Sequence, residues 1–186
     1  GIRRCYLHAL LDGRDVGVQS ALDYTEPFEK LFSELKSQRA DIDYAFASGG
    51  GREVVTMDRD NNWKKVEAGW KVHVKGDSEN RFPSIRNAIE HFRKLDPEII
   101  DQDIPGFVIV CNGEAVTKIE DQHALIFTNF RSDRASEFTE AMLADHFPHF
   151  ERKSRPKVMF AGMTQYDQDN KIPPDFLAGT PEVEDP

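Results

Sequence analysis

The stretch Tyr6-Leu7-His8-Ala9-Leu10-Leu11-Asp12-Gly13-Arg14-Asp15 sets the pattern by which the rest of the chain is read. Its first six residues form a short, mostly apolar run of strand length, and the polar turn Asp12-Gly13-Arg14-Asp15 closes it. A helix is expected next. Phe28, Leu31, Phe32 and Leu35 recur at i, i+3, i+4 and i+7, and the helix they mark starts at Ser20 or only near Thr25, since Pro27 fits best in a first turn. Tyr44 to Ala47 repeats the strand and ends in Ser48-Gly49-Gly50-Gly51-Arg52, read as a loop whose glycines permit backbone angles other residues resist.

The alternation continues outward. Trp63, Val66, Trp70 and Val74 have helical spacing, as do Ile85, Ile89 and Phe92, with Pro83 and Ser84 placed to start the second helix. Phe107 to Cys111, Asn112-Gly113 and Ala115 to Ile119 read as an antiparallel hairpin, because Asn-Gly favours the two-residue turn whose twist matches paired strands. Ala124 to Phe130 is a strand ending in Arg131-Ser132-Asp133-Arg134; Phe138, Met142 and Leu143 mark a helix, and Lys157 to Gly162 a last strand. After Asp167 the chain turns to proline, glycine and acidic residues. The expected fold is α/β: a mixed, mainly parallel sheet with flanking helices and an antiparallel hairpin near Asn112-Gly113. Residues 1–166 are expected to form one domain and 167–186 a tail or interdomain linker.

Composition bounds the function. A chain of 186 residues, 39% hydrophobic and 31% charged, can bury one sizeable core. No run reaches the roughly 18 apolar residues of a membrane span, and Gly1-Ile2-Arg3-Arg4 opens no signal peptide, so a cytoplasmic protein without a membrane partner is expected. A start on Gly followed almost at once by an apolar run reads as a domain excised from a longer chain. Cys5 and Cys111 sit in apolar strand-like runs without a C-x-x-C pair and read as reduced core thiols. A formal charge of −9 argues against nucleic acid, whose binding needs a broad basic surface. A monomer is expected.

Against that acidic background several arginines stand at strand-to-loop junctions: Arg14 beside Asp15, Arg52, Arg59, and Arg131 with Arg134. In open α/β sheets ligands gather at such junctions. Guanidinium groups pair with carboxylate and phosphate oxygens, and hydrogen bonds to charged groups contribute about 1.5–3 kcal/mol each. Taken singly, each arginine is equally a surface ion pair of little worth. Ser132 reads as an N-cap that puts Arg134 in a first helical turn, where the dipole disfavours a cation unless an anion is bound. The alternative is an ion pair of Asp133 with Arg131 or Arg134. Asp15 also has two readings, a salt-bridged turn aspartate or an acceptor of substrate hydroxyls that acts as a base.

Other motifs fail. Asp58, Asp60 and Asn62 have calcium-loop spacing, but Trp63 and Gly69 stand where such a loop needs Gly and Glu. The glycine triplet lacks the Lys-Ser/Thr of a phosphate-binding loop. The six histidines show no metalloprotease spacing, and His146 with His149 reads as a helix end.

Four segments in order carry a family resemblance: His8-Ala9-Leu10-Leu11-Asp12-Gly13-Arg14-Asp15, Ser48-Gly49-Gly50-Gly51-Arg52 leading to Met57-Asp58-Arg59, Phe127-Thr128-Asn129-Phe130-Arg131-Ser132-Asp133-Arg134, and Met163-Thr164-Gln165-Tyr166-Asp167. Together they resemble the cofactor-independent phosphoglycerate mutases, in the substrate-binding domain inserted into a phosphatase-like domain. The resemblance implies 2- and 3-phosphoglycerate as ligands, and as partner the phosphatase-like domain of the same polypeptide. That domain carries the serine that takes up the phosphoryl group and two divalent ions, usually manganese. No cofactor is implied for this region itself. By motif position Arg14, Asp15, Arg52, Arg59, Arg131 and Arg134 would contact substrate, Asp15 through the hydroxyls and the arginines through carboxylate and phosphate. Glu53 and Val54 depart from the aromatic or Met-like residues of the family, and His8 is not the family's substrate histidine. The region alone is expected to be inactive. A free-standing module for small phosphorylated acids, or an interaction domain whose arginines only pair with its own acids, are the readings from other classes.

Overall fold

The computed structural model describes residues 1–57 and 61–179. They fall into two compact units: Gly1–Thr56 with Glu67–Ile119, and Met57–Val66 with the chain from Glu120 onward.

The first unit is built on a five-stranded mixed sheet. Strand β1 (Arg4–Leu11) leads to helix α1 (Ala21–Gln38) and back to β2 (Asp43–Gly51). Helix α2 (Trp63–Gly69), whose residues up to Val66 are counted with the second unit, runs straight into a π-helical turn, Trp70–Val74, closed by the i→i+5 bond from the Lys75 amide to the Trp70 carbonyl at 3.1 Å. Then follow β3 (Arg81–Phe82), α3 (Ile85–Leu95), a 3-10 turn (Asp101–Asp103), β4 (Phe107–Cys111) and β5 (Glu114–Ala115). The strand order is β1-β2-β4-β3, with β5 on β4. The β1–β2 and β3–β4 pairs are parallel; the β2–β4 and β4–β5 pairs are antiparallel. Apolar side chains cover both faces: Phe46, Ile85, Ile89, Phe92, Ile104 and Phe107 form one buried cluster, and Val55, Val72 and Val108 another. Ser84 caps α3 by accepting the Asn87 amide, as its position before the periodic run suggests.

Three expectations change here. Of the two starts open to α1, the earlier one at Ser20 is the observed one, so Pro27 lies inside the helix rather than in its first turn. The helix begins at Ala21 because the Ala21 amide donates to Asp101 Oδ2 at 2.7 Å, a cap supplied from eighty residues away. Gly49, Gly50 and Gly51 belong to β2, not to a loop, and none has a positive φ. What they allow is close approach: a Cβ on Gly49 would lie 2.5 Å from the Phe107 ring, and one on Gly51 2.1 Å from the Gln102 carbonyl oxygen. Cys5 and Cys111 are free but exposed, because the start of β1 and the end of β4 emerge into solvent while the strand interiors stay covered. The hairpin turns at Asn112 (φ 52°) and Gly113 (φ 84°) as expected, though its second strand is only Glu114–Ala115.

The second unit pairs β6 (Ala124–Phe127) in parallel with β7 (Met159–Gly162). Between them come a 3-10 turn (Ser132–Arg134) and helix α4 (Ser136–Leu143), whose last carbonyls accept from Arg152 and Arg155. Beyond Asp167 the chain returns to β7, with the Gly162 amide donating to Asp175 O and the Leu177 amide to Gly162 O. No helix among the described residues is long and apolar enough to cross a membrane.

Candidate functional site

In the first unit the parallel register sets Leu11 opposite Gly51, so β1 and β2 deliver their following residues to the same sheet edge. The Arg52 amide donates to Leu11 O at 2.9 Å. The Arg52 side chain is almost wholly buried, and its NH1 group donates to Asp12 Oδ1 at 2.7 Å and to Asp15 Oδ2 at 3.0 Å. Its Nε–H has no acceptor among the described residues. Asp12 also organises the turn: its Oδ1 accepts the amides of Arg14 (3.3 Å) and Asp15 (3.4 Å), the local closure that Asp favours before Gly. Arg14 is exposed on this turn. Two carboxylates thus face one guanidinium, and an ionic group with an unpaired buried donor is a poor resting arrangement in low dielectric.

Behind this edge lies a buried polar chain. Ser48 Oγ is 2.7 Å from His8 Nδ1 and 2.7 Å from His73 Nδ1, the two rings standing edge to face at 5.7 Å. One hydroxyl can donate to only one ring, so at least one of the two histidines carries its proton on Nδ1 and donates to Ser48. Burial pushes His8 down from 6.5 to about 4. Burial, and then the neighbouring His8, push His73 down from 6.5 to about 3. Both rings are neutral near pH 7.

In the second unit Arg131 and Arg134 flank the 3-10 turn that follows β6. Ser132 is not the cap of an α-helix: the turn intervenes, α4 starts at Ser136, and Arg134 is buried ahead of the helix rather than in its first turn. Arg131 is exposed and lies over the Phe130 ring at 5.7 Å. Asn129 clamps the segment, its Nδ2 donating to Arg131 O at 3.2 Å and its Oδ1 accepting the Arg131 amide at 3.4 Å. The Tyr166 hydroxyl lies 2.7 Å from both Phe127 O and Asn129 O and accepts the Met163 amide at 3.2 Å, with burial raising its pKa. His149 stacks on Trp63 at 3.5 Å and pairs with Glu140 at 3.4 Å.

The structure therefore brings Asp15 and Arg52 together in one unit, with Arg14 on the same turn, and places Arg131 and Arg134 on one turn of the other. Arg59 lies outside the described residues, as do Asp58 and Asp60 of the rejected calcium spacing. Sequence reading missed Asp12 and Tyr166 as organisers. The Asp-Gly pair was a usable signal for the first; the second depends on a contact nearly forty residues away.

Among the described residues no three histidine, cysteine or acidic side chains stand together as a metal group. Residues 1–168 match the family described as BPG-independent PGAM N-terminus. A probable 2,3-bisphosphoglycerate-independent phosphoglycerate mutase of Leptospira interrogans is 50% identical over 179 residues, 96% of this chain and 32% of the relative. The 2,3-bisphosphoglycerate-independent phosphoglycerate mutase of Trypanosoma brucei brucei is 40% identical over 185 residues, 98% of this chain and 33% of the relative. A crystal structure of Leishmania mexicana phosphoglycerate mutase, determined at low cobalt concentration, superposes with a TM-score of 0.92 at 41% identity, over 97% of this chain and 33% of that one. The chain spans about a third of the length of the curated relatives it matches. On these matches the chain belongs to the BPG-independent phosphoglycerate mutase family, as part of its N-terminal region.

Proposed function

We propose that this chain grips the glycerate moiety for a mutase that interconverts 3-phosphoglycerate and 2-phosphoglycerate through a phosphoserine intermediate, in the cytoplasm and as a monomer. The observation that carries the reading is the parallel register that sets Leu11 opposite Gly51 and so brings Arg14, Asp15 and Arg52 to one sheet edge, with Arg52 held by Asp12 and Asp15. Arg14, Arg52, Arg59, Arg131 and Arg134 bind carboxylate and phosphate oxygens, and Asp15 accepts the glycerate hydroxyls and serves as a base. Once the phosphoryl group has passed to the serine, the glycerate, held by its carboxylate and turning between its two hydroxyls, can present either one to the phosphoserine while water is kept out. The phosphoserine and the divalent ions, manganese in this reading, belong to a phosphatase-like region of the same polypeptide. An acidic chain with its cations gathered at strand ends suits a small anion and disfavours nucleic acid.

The test is a titration of 3-phosphoglycerate into the 186-residue chain, followed by amide shifts and by the ligand's own signals, beside Arg131→Ala. Shifts confined to the loops after β1, β2 and β6, weakened in the variant, with no 2-phosphoglycerate formed, are expected. No shifts at millimolar ligand would sink binding by this chain, and turnover would contradict the division of labour.

A further inference from the structure

The segment Pro97–Ile104 is a floor on which both loops of the first unit's cluster rest. Asp101, fully buried, accepts the Ala21 amide on Oδ2 at 2.7 Å and the Arg93 NH2 group on Oδ1 at 2.8 Å, while its own amide donates to Val18 O at 2.8 Å. Arg93 NH2 also donates to Gln19 O at 2.7 Å. Gln19 in turn donates through Nε2 to Pro97 O (2.7 Å) and Ile99 O (2.9 Å). The turn after β1 therefore has its far end, Val18 to Ala21, tied to one carboxylate and its guanidinium partner.

The near end is set by contact. A Cβ on Gly13 would lie 2.9 Å from the Asp101 amide nitrogen and 2.8 Å from Val18 O, so the turn is pressed against Asp101 as closely as a residue without a side chain allows. Gly13 has a φ of +66°, which glycine adopts without cost. The second loop meets the same floor: the Gly51 amide donates to Ile104 O (2.8 Å), the Glu53 amide to Gln102 O (3.1 Å), and a Cβ on Gly51 would come within 2.7 Å of Asp101 O. Arg52 lies between those two amides. One buried acid with its backbone thus fixes the turn carrying Arg14 and Asp15 and underlies the segment carrying Arg52.

We propose that Asp101, with Arg93 as its partner, is a positioning residue for phosphoglycerate binding: it touches no substrate and sets the relative placement of Asp15 and Arg52. This rests on the function proposed above. A carboxylate is needed because both of its oxygens accept from donors. An asparagine there keeps the shape but must turn an NH2 group toward either the Ala21 amide or Arg93, replacing an attraction by a donor–donor clash.

The decisive variant is Asp101→Asn in the 186-residue chain, compared with the unchanged chain in the absence and presence of 3-phosphoglycerate. Beyond the altered floor 97–104 and the turn of α3 around Arg93, ligand-free amide shifts are expected to be confined to residues 12–21 and 51–53, with the rest of α3 and β4 unmoved, and the apparent Kd to rise about tenfold or more, as misplacement of binding groups produces. Gln19→Ala, an exposed position that leaves the carboxylate intact, is the second variant. It should raise Kd about threefold with an unchanged urea midpoint, since it removes two tethers of the loop only. A folded Asp101→Asn chain that binds like the original, or ligand-free shifts spread through α3 and β4, would overturn the proposal. If Asp101→Asn does not fold, unaltered binding by Gln19→Ala overturns it. Failure of the unchanged chain to bind instead defeats the phosphoglycerate reading, and the ligand-free shifts then judge the positioning role alone.

Discussion

At the level of single residues, the glycines of β2 separate two uses of the same amino acid. Gly51 has ordinary strand angles, but a Cβ there would strike the Gln102 carbonyl at 2.1 Å, a backbone atom that cannot swing aside. Gly51→Ala is expected to cost at least about 3 kcal/mol, the upper part of the range for overpacking. Gly113 has the opposite character, with a φ of +84° and nothing within 4 Å of an added Cβ. Gly113→Ala is therefore expected to cost only the roughly 1–2 kcal/mol of a left-handed side-chain-bearing residue. Urea unfolding of the two variants checks the order, and equal losses would contradict it. The Asn-Gly turn was legible in the sequence because its chemistry is local. The triplet of β2 was visible too, but its reason lay in Gln102, Phe107 and Gly106, some fifty residues on.

Among the elements, the same division decides what could be read. Alternating strand and helix signals located β1, β2, α3, β4, α4 and β7 to within a few residues, since apolar periodicity is a property of each segment alone. The sequence could not choose between Ser20 and Thr25 for the start of α1 because the deciding cap comes from Asp101, and Arg134 was misplaced because a 3-10 turn separates Ser132 from α4. The His8–Ser48–His73 chain joins β1, β2 and the π-helical turn and yields a pH dependence. Both rings titrate below 6.5 in the folded chain, so the unfolded chain binds more protons between pH 6.5 and about 4. The stability they contribute is complete above pH 6.5 and falls with acidification toward pH 4, continuing to about 3 for His73, by on the order of 3 kcal/mol per ring at pH 4. Replacing His73 by Gln keeps a partner for Ser48 and removes one titration. The fall in urea midpoint between pH 6.5 and 4 should be shallower in that variant, and an unchanged slope would refute the assignment.

For the whole molecule, the two units differ in how much sheet supports them. The first has five strands and helices packed on its core, while among the described residues the second has the β6–β7 pair and a single bridge from Gly162 to Phe176, and so small a sheet is marginal in water. Amide exchange is expected to be slowest at Phe107, Val108 and Ile109 and faster by at least about tenfold at Leu125, Ile126 and Phe160. Equal protection would show that the second unit has support of its own. The sequence could not announce this division, because the chain crosses between units and each unit is assembled from separated stretches. The π-helical turn Trp70–Val74 has a bearing on how such a chain tolerates changes of length. A π-turn holds one residue more than the helix it interrupts, so it behaves as a recorded insertion. Deleting the residue before His73 would let the turn close with i→i+4 bonds, shifting His73 one place along it and carrying its imidazole off the Ser48 hydroxyl. A relative one residue shorter at this point would have to fill that hydroxyl from another source.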